Sequence, residues 1–164
     1  MTLIVAPLRL VPDVIKTRNP SHVLTIIGPD ATAPVCAVNH LTLRVNDIVT
    51  ATPGLIAPDP DLIQAILDFG DTWQRQAPML VHCLAGISRS TAAAYILACA
   101  ATPPGAEDDI AMKLRTASPT ATPNLLMVAL ADDILERDGA MLMAVKRIGR
   151  GAEATEGVPF DFAL

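Results

Sequence analysis

The chain has 164 residues, of which 51% are hydrophobic and 18% charged, and its formal net charge is −5. This length suits one domain, and this composition excludes an intrinsically disordered chain. The sequence has no basic run, and its longest uninterrupted apolar run, 92–101, is too short to cross a bilayer, so we expect neither a nucleic acid nor a membrane as a partner.

Predicted strands and helices alternate along the chain. In chain order they are a strand near 2–6, a helix near 10–17, strands near 22–28 and 35–46 (the second with a possible break), a helix near 60–76, a strand near 78–83, helices near 89–101, 106–116 and 124–138, and a further turn at 139–148. Apolar strands alternating with helices predict an α/β fold. Its central sheet is expected to be mostly parallel, with four to five strands flanked by helices on both faces.

We interpret residues 1–148 as a single domain and 149–164 as a C-terminal tail. The tail ends in the apolar segment VPFDFAL, which we expect to dock on the domain. The N-terminus has no basic start and is interrupted by Pro7, which is a poor secretory signal. The three cysteines have no disulfide-framework spacing, and together these features predict a cytoplasmic protein.

The most informative stretch is 82–90, HCLAGISRS, in which five residues separate Cys83 from Arg89. The residues before it predict the end of a buried strand and those after it a helix, so the loop lies at a strand-to-helix turn. Such a turn directs backbone N–H groups and the positive end of the helix dipole at one point. The ionised form of a thiol is favoured there, and Cys83 is therefore the candidate nucleophile.

The same geometry suggests roles for the other loop residues. Arg89 presents a planar fork of donors that can hold two phosphoryl oxygens in the transition state. Gly86 lies where a chain that curls around an anion needs a positive φ or a close backbone approach. Ser90 is the candidate to hydrogen-bond the sulfur and make it a better leaving group, whereas Ser88 is the candidate helix cap.

The anion is expected to be bound by the loop as a whole. The predicted phosphate-binding residues are Leu84, Ala85, Gly86, Ile87, Ser88 and Arg89. We expect His82 to hydrogen-bond within the loop and to adjust the thiolate. A bare Cys-x5-Arg spacing also arises by chance, but the preceding His, the Gly three residues after the Cys, and the strand-then-helix context favour a functional loop.

The remaining histidines and cysteines carry less information. His22 and His40 lie on predicted strands and are expected to pack there, because no histidine has partners at zinc-like spacing. We therefore predict no metal and no cofactor. Cys99 is expected to be a small buried hydrophobe on its helix. Cys36 could lie near Cys83 across the sheet, so a protective disulfide is an open alternative.

HCLAGISRS resembles the signature loop of the cysteine-dependent protein tyrosine phosphatases, in particular the small dual-specificity type. The resemblance implies hydrolysis of phosphate monoesters through a phosphocysteine intermediate, without a metal. A second similarity is the pair Pro123–Asn124, which in that family precedes the last long helix, where Asn124 is expected to act as a cap. The resemblance covers about residues 20–137, with specific motifs at three points.

Members of that family use an aspartate as general acid, and Asp47 is the matching candidate. It follows the alternating run 40–45, which predicts a half-buried strand, and its separation from the cysteine is similar to that in the family. It would protonate the leaving group and then activate water. Other aspartates are weaker candidates. Asp59 and Asp61 are typical of a helix cap and a first turn, and two more, Asp68 and Asp71, lie on or near the end of that helix.

The loop also bears on the substrate. Its variable positions lack the lysines of family members that act on highly phosphorylated inositol lipids, and neither Trp73 nor Tyr95 is placed to form a deep phosphotyrosine slot. The expected partner is thus a phosphorylated protein or a small phosphomonoester. Two other classes stay open: a catalytically silent module that binds phospho-ligands, and a rhodanese-like sulfurtransferase or an arsenate reductase, the last of which would need a resolving thiol.

Overall fold

A computed structural model describes residues 2–36 and 38–163 of the chain. Met1 and Leu164, at the ends of the predicted domain and tail, and Ala37, inside the third predicted strand, lie outside the described residues. The elements are β1 (Thr2–Pro7), a 3-10 turn (Leu8–Leu10), α1 (Val11–Arg18), β2 (His22–Ile27), β3 (Asn39–Arg44), α2 (Pro60–Thr72), β4 (Met79–Cys83), α3 (Arg89–Ala100), α4 (Glu107–Ala117), α5 (Leu125–Ile134), α6 (Ala140–Ile148) and β5 (Phe160–Ala163).

The five strands form one sheet in the order β3-β2-β4-β1-β5. β1 to β4 pair in parallel, and β5 pairs antiparallel with β1. The predicted mostly parallel α/β sheet is confirmed. In the register of β1 and β4, Pro7 lies opposite Cys83, so the cysteine stands at the carboxyl edge of the sheet, where open α/β sheets bind ligands.

The sheet carries helices on both faces. α1 covers one face over a small cluster that includes Val11, Val14 and Leu80, and the main core fills the other face. There α3 packs against α2, α4, α5 and the strands, and its residues 89–99 are all buried. Its alanines permit this close approach, because small side chains let neighbouring helices come near on every side.

The third strand is shorter than predicted. It begins at Asn39 rather than near residue 35, and the residues described just before it are irregular. Two physical reasons account for this. Pro34 has no N–H to donate to a ladder. In addition, β2 begins at His22, which pairs with Asn39, so residues that precede Asn39 have no strand beside them.

Two helix boundaries also differ from the prediction. α2 ends at Thr72 rather than near 76, because Trp73 is extended and its indole N–H donates to the Ala77 carbonyl at 2.8 Å. The predicted helix 124–138 ends at Ile134, and the expected turn at 139–148 is the full helix α6. Left-handed backbone at Glu136, Asp138 and Gly139 separates the two helices; their φ values are +52°, +52° and +86°.

The tail ends as a strand, which was not predicted. Its apolar segment docks by adding β5 to the free edge of β1, with Leu3 opposite Phe162. Phe162 is 1% exposed and joins the main core, while its neighbours Asp161 and Ala163 face solvent. Within residues 2–36 and 38–163, no helix has the length and apolar character needed to cross a membrane.

Candidate active site

The loop between β4 and α3 curls around the side chain of Cys83. Cys83 is the last residue of β4 and is 2% exposed. Its Sγ lies 3.1 Å from Ser90 Oγ and accepts the Gly86 backbone N–H at 3.3 Å. These donors stabilise a negative charge on sulfur, which is the form in which a cysteine attacks.

Carbonyls of the loop point outward and are held by other parts of the chain. Leu84 O accepts from Leu8 N at 3.1 Å, Ala85 O from Gly157 N at 2.8 Å, and Ile87 O from Thr122 N at 2.9 Å. In a trans peptide the N–H points opposite to the carbonyl of the same unit. The N–H groups that follow these carbonyls, those of Ala85, Gly86 and Ser88, are therefore turned toward the inside of the loop, where they can bind an anion.

Gly86 has the positive φ that the sequence predicted, +70°. A Cβ at this position would lie 2.7 Å from Pro7 N and 2.9 Å from the Ala6 carbonyl carbon. Both neighbours are backbone atoms of β1 and cannot rotate away. Position 86 therefore requires glycine for its conformation and for space.

Arg89, the first residue of α3, has a buried guanidinium. Its Nη1 donates to the Val45 carbonyl at 2.8 Å, and Arg89 is 6% exposed. Its Nε is buried and has no hydrogen-bond partner in the described part of the chain. A buried donor without a partner costs free energy, and an anion bound in the loop would supply the missing acceptor.

Asp47 is held against the loop by its two carboxylate oxygens. Oδ1 accepts the Ser88 hydroxyl and the Asn124 amide N–H, each at 2.8 Å. Oδ2 lies 4.0 Å from Arg89 Nε, and the side chain is 38% exposed. Oδ1 is therefore occupied by two donors, and Oδ2 is the oxygen nearer to Arg89.

The fold explains how Asp47 reaches the loop. Asp47 follows β3, which is separated from β4 only by β2, and parallel strands end at the same edge of the sheet. Two hydrogen bonds close the connection after β3. The Asn46 N–H donates to the Ile56 carbonyl, and the Ile56 N–H donates to Asn46 Oδ1, both at 2.8 Å. The turn is thereby fixed with Asp47 directed at Ser88.

Two of the predicted contacts are wrong. Ser88 stands at the N-cap of α3, but its hydroxyl makes no capping bond, because it donates to Asp47 instead. His82 makes its side-chain hydrogen bond away from the loop, through Nε2 to Thr25 Oγ1 at 2.6 Å. Neighbouring side chains on a strand point to opposite faces, so His82 is turned to the α1 face while Cys83 is turned to α3.

His82 belongs to a buried polar network on the α1 face. Thr25 Oγ1 also contacts His40 Nε2, at 2.8 Å, and thus joins the two histidines. Burial lowers the pKa of His82 to about 4, against a smaller raising effect of the Cys83 backbone. Burial also lowers the pKa of His40. His82 is therefore neutral near pH 7 and supports the strand rather than the thiolate.

The other predicted residues lie as follows. Asp59 caps α2 by accepting Leu62 N–H at 2.8 Å, as predicted. Asn124 caps α5 by accepting Met127 N–H at 3.1 Å, also as predicted. Its contact with Asp47 was missed, because a Pro-Asn pair before a helix signals only a cap. Tyr95 is fully buried in the core and forms no ring over the loop.

All three cysteines are free. Cys36 packs against the cluster under α1, and burial raises the pKa of its thiol. Cys99 lies inside α3, where burial raises its thiol pKa to about 12. The disulfide between Cys36 and Cys83 that the sequence left open is not formed.

Open space adjoins the loop on the side of Asp47. One cavity of about 540 Å³ is bounded by Ser88, by residues around Pro123, by the end of α6 and by the chain after it. A second, of about 620 Å³, is lined by Asp47 and the residues that follow it, and it shares Ser88 and Arg150 with the first. A group attached to a phosphate in the loop would thus find room next to the carboxylate.

The fold is that of the small dual-specificity phosphatases. No family model matches the sequence, and no curated protein matches it. Among solved structures the chain is similar to the crystal structure of DUSP15, with a TM-score of 0.63 and 20% sequence identity. The match covers 90% of this chain and 92% of that chain.

Proposed function

We propose that the chain is a cysteine-dependent phosphatase that hydrolyses phosphate monoesters through a phosphocysteine at Cys83, without metal or cofactor. The observation that carries the proposal is the hydrogen bond from Ser88 to Asp47, at 2.8 Å. It joins the candidate acid to the loop that surrounds the candidate nucleophile. The fold similarity to a dual-specificity phosphatase supports the same class.

In the first step the Cys83 thiolate attacks phosphorus and the bond from phosphorus to the ester oxygen breaks. Arg89 and the inward N–H groups bind the phosphoryl oxygens, whose charge spreads in the transition state. Asp47 gives its proton from Oδ2 to the departing oxygen. The products of this step are an alcohol or phenol and the phosphocysteine.

In the second step water attacks phosphorus and the phosphorus–sulfur bond breaks. The Asp47 carboxylate, now ionised, takes a proton from the water. The sulfur departs as a thiolate, stabilised by the Ser90 hydroxyl 3.1 Å away and by the Gly86 N–H. Inorganic phosphate then leaves, and the enzyme returns to its starting state.

The substrate is a phosphorylated protein or a small phosphomonoester. Space beside Asp47 accommodates a leaving group of moderate size, and the residues that the structure describes around this cavity include no aromatic side chain. We place residues 1–148 in one phosphatase domain with the tail 149–164 docked on it. The three unpaired cysteines support a cytoplasmic location.

The test is hydrolysis of p-nitrophenyl phosphate in EDTA, from mildly acidic to neutral pH. Cys83→Ser should abolish turnover, and Asp47→Asn should reduce it strongly while leaving phosphate binding intact. Cys36→Ser and Asp59→Asn are matched controls, since neither side chain touches the loop and asparagine also caps helices. Ser90→Ala should slow breakdown of the phosphocysteine, which would then accumulate and be detected by mass spectrometry.

One result of this experiment would refute the proposal. If the folded protein binds vanadate but shows no turnover above the Cys83→Ser background, it is a module that binds phospho-ligands. Transfer of sulfur from thiosulfate to cyanide would instead identify a sulfurtransferase. Arsenate reduction needs a second thiol at the reacting sulfur, a requirement that Cys36, packed under α1, and Cys99, inside α3, are poorly placed to meet.

A further inference from the structure

We propose that the C-terminal segment 149–163 holds the phosphate loop in its active conformation. In this proposal Gly157 is a positioning residue that directs the Gly86 N–H at the Cys83 sulfur. The inference deepens the proposed function, because it concerns the same thiolate. It also stands on geometry that exists whether or not the protein turns over a substrate.

A single peptide unit links the tail to the sulfur. The Gly157 N–H donates to the Ala85 carbonyl at 2.8 Å. The N–H of that same peptide, which belongs to Gly86, donates to Cys83 Sγ at 3.3 Å. Because the carbonyl and the N–H of a trans peptide point in opposite directions, holding the carbonyl outward holds the N–H inward.

This peptide unit needs an external restraint. Gly86 has no Cβ, and glycine passes between backbone conformations that other residues cannot adopt. Among the described residues only Gly157 donates to the Ala85 carbonyl. Without that bond the peptide could turn over, which would present an oxygen to the thiolate instead of a donor. The bond from Gly157 opposes that rotation.

Steric contacts fix the peptide from both sides. On one side, a Cβ on Gly86 would lie 2.7 Å from Pro7 N at the end of β1. On the other side, a Cβ on Gly157 would lie 3.0 Å from Gly86 O and 3.4 Å from Ala85 O. Gly157 is buried. The loop is therefore clamped between β1 and the tail, and position 157 has little room for a side chain.

The tail is anchored on both sides of Gly157. After it, β5 pairs with β1 and buries Phe162 in the core. Before it, Ala152 N donates to Pro119 O at 2.9 Å. Glu156 accepts from Arg9 at 2.7 Å, and Arg9 follows Leu8, whose N–H holds the Leu84 carbonyl. The ion pair of Arg9 and Glu156 thus connects the two chain segments that hold the Leu84 and Ala85 carbonyls of the loop.

The test uses the full chain with Gly157→Ala, which adds a methyl group against the Gly86 carbonyl, and Gly157→Pro, which removes the N–H donor. Val158→Ala is the matched control, because Val158 is the next residue and is 78% exposed. The first readout is the rate of iodoacetamide alkylation at Cys83 against pH, followed by mass spectrometry so that Cys36 is distinguished. The second is the dissociation constant for vanadate.

In the Gly157 variants we expect the midpoint of the alkylation profile to move to higher pH by about one unit and vanadate to bind about tenfold more weakly. Other charged groups near the sulfur, Arg89 and Asp47, are unchanged in these variants. Circular dichroism and thermal unfolding verify the fold. If Gly157→Pro does not fold, Gly157→Ala decides.

The proposal is overturned if folded Gly157 variants keep the wild-type alkylation profile and vanadate affinity. It is equally overturned if Val158→Ala changes them as much. Both readouts are independent of turnover. A wild-type protein that hydrolyses nothing would therefore refute the phosphatase but still allow the role of the tail to be measured.

Discussion

Stability should fall in mild acid because of His82. The ring is fully buried on the α1 face of the sheet, and burial lowers its pKa to about 4. A protonated ring carries an N–H on both nitrogens, and Nδ1 has no hydrogen-bond partner among the described residues. In the unfolded chain the same ring takes up its proton near its ordinary pKa of 6.5.

The sign follows from proton binding. Below pH 6.5 the His82 ring is protonated in the unfolded chain but stays neutral in the folded protein. The free energy of unfolding therefore falls as the pH drops from 6.5 to about 4. Outside that window His82 contributes no pH dependence to it. At 1.36 kcal/mol per pKa unit, we expect His82 to remove about 2 kcal/mol of the free energy of unfolding between about pH 7.5 and about pH 5.

The assay is urea unfolding at the two pH values in the wild type and in His82→Gln, where the amide can still reach Thr25 but does not titrate. The difference between the proteins isolates His82 from His40 and His22, whose pKa values are also lowered by burial. His22→Gln is the control and should keep most of the pH dependence. An equal loss of stability in the wild type and in His82→Gln would refute the reasoning.

Three further predictions concern other parts of the chain. Asn124→Ala should lower kcat/KM for p-nitrophenyl phosphate about tenfold, because Asp47 loses one of its two hydrogen-bond donors. The control is Asp59→Ala, which also removes a helix cap and should cost about 1 kcal/mol of stability but leave turnover unchanged. Gly86→Ala should destabilise by about 2 kcal/mol or more in urea and weaken vanadate binding, because both its φ and its space are unavailable to alanine; unchanged affinity would contradict this geometry. Glu107→Gln should cost about 3 kcal/mol in urea unfolding, because it removes the negative charge that lies 2.7 Å from Arg137 Nη1 and leaves the buried guanidinium uncompensated. The exposed pair of Arg147 and Asp108 is the comparison, and its removal should change stability by less than about 1 kcal/mol.

The loop around Cys83 could be predicted from sequence because its information is local. A cysteine at the end of a strand, a positive-φ glycine and an arginine at a helix start are fixed by a few consecutive residues and by the strand-to-helix turn that holds them. The caps at Asp59 and Asn124 were predictable for the same reason, since a cap is a bond between residues three positions apart.

Ser88 illustrates where local reasoning fails. At the N-cap of α3 a hydroxyl normally accepts a backbone N–H of the first helical turn. The Ser88 hydroxyl instead donates to Asp47, because the fold brings a carboxylate there. His82 fails for a related reason. Its neighbour in sequence is Cys83, but the alternation of side chains on a strand turns His82 to the opposite face, toward Thr25.

By itself the sequence determined the type of fold and the strand-to-helix loop that holds Cys83 and Arg89, because periodicity and a short motif encode them. Asp47 became the candidate acid through the resemblance to the phosphatase family. Only the tertiary structure decided which distant residues restrain that loop. The bonds from Leu8, Thr122 and Gly157 to its carbonyls are backbone contacts, and a backbone N–H is the same at nearly every residue, so no side-chain pattern reveals them. They depend on where the sheet edge and the returning tail pass the loop.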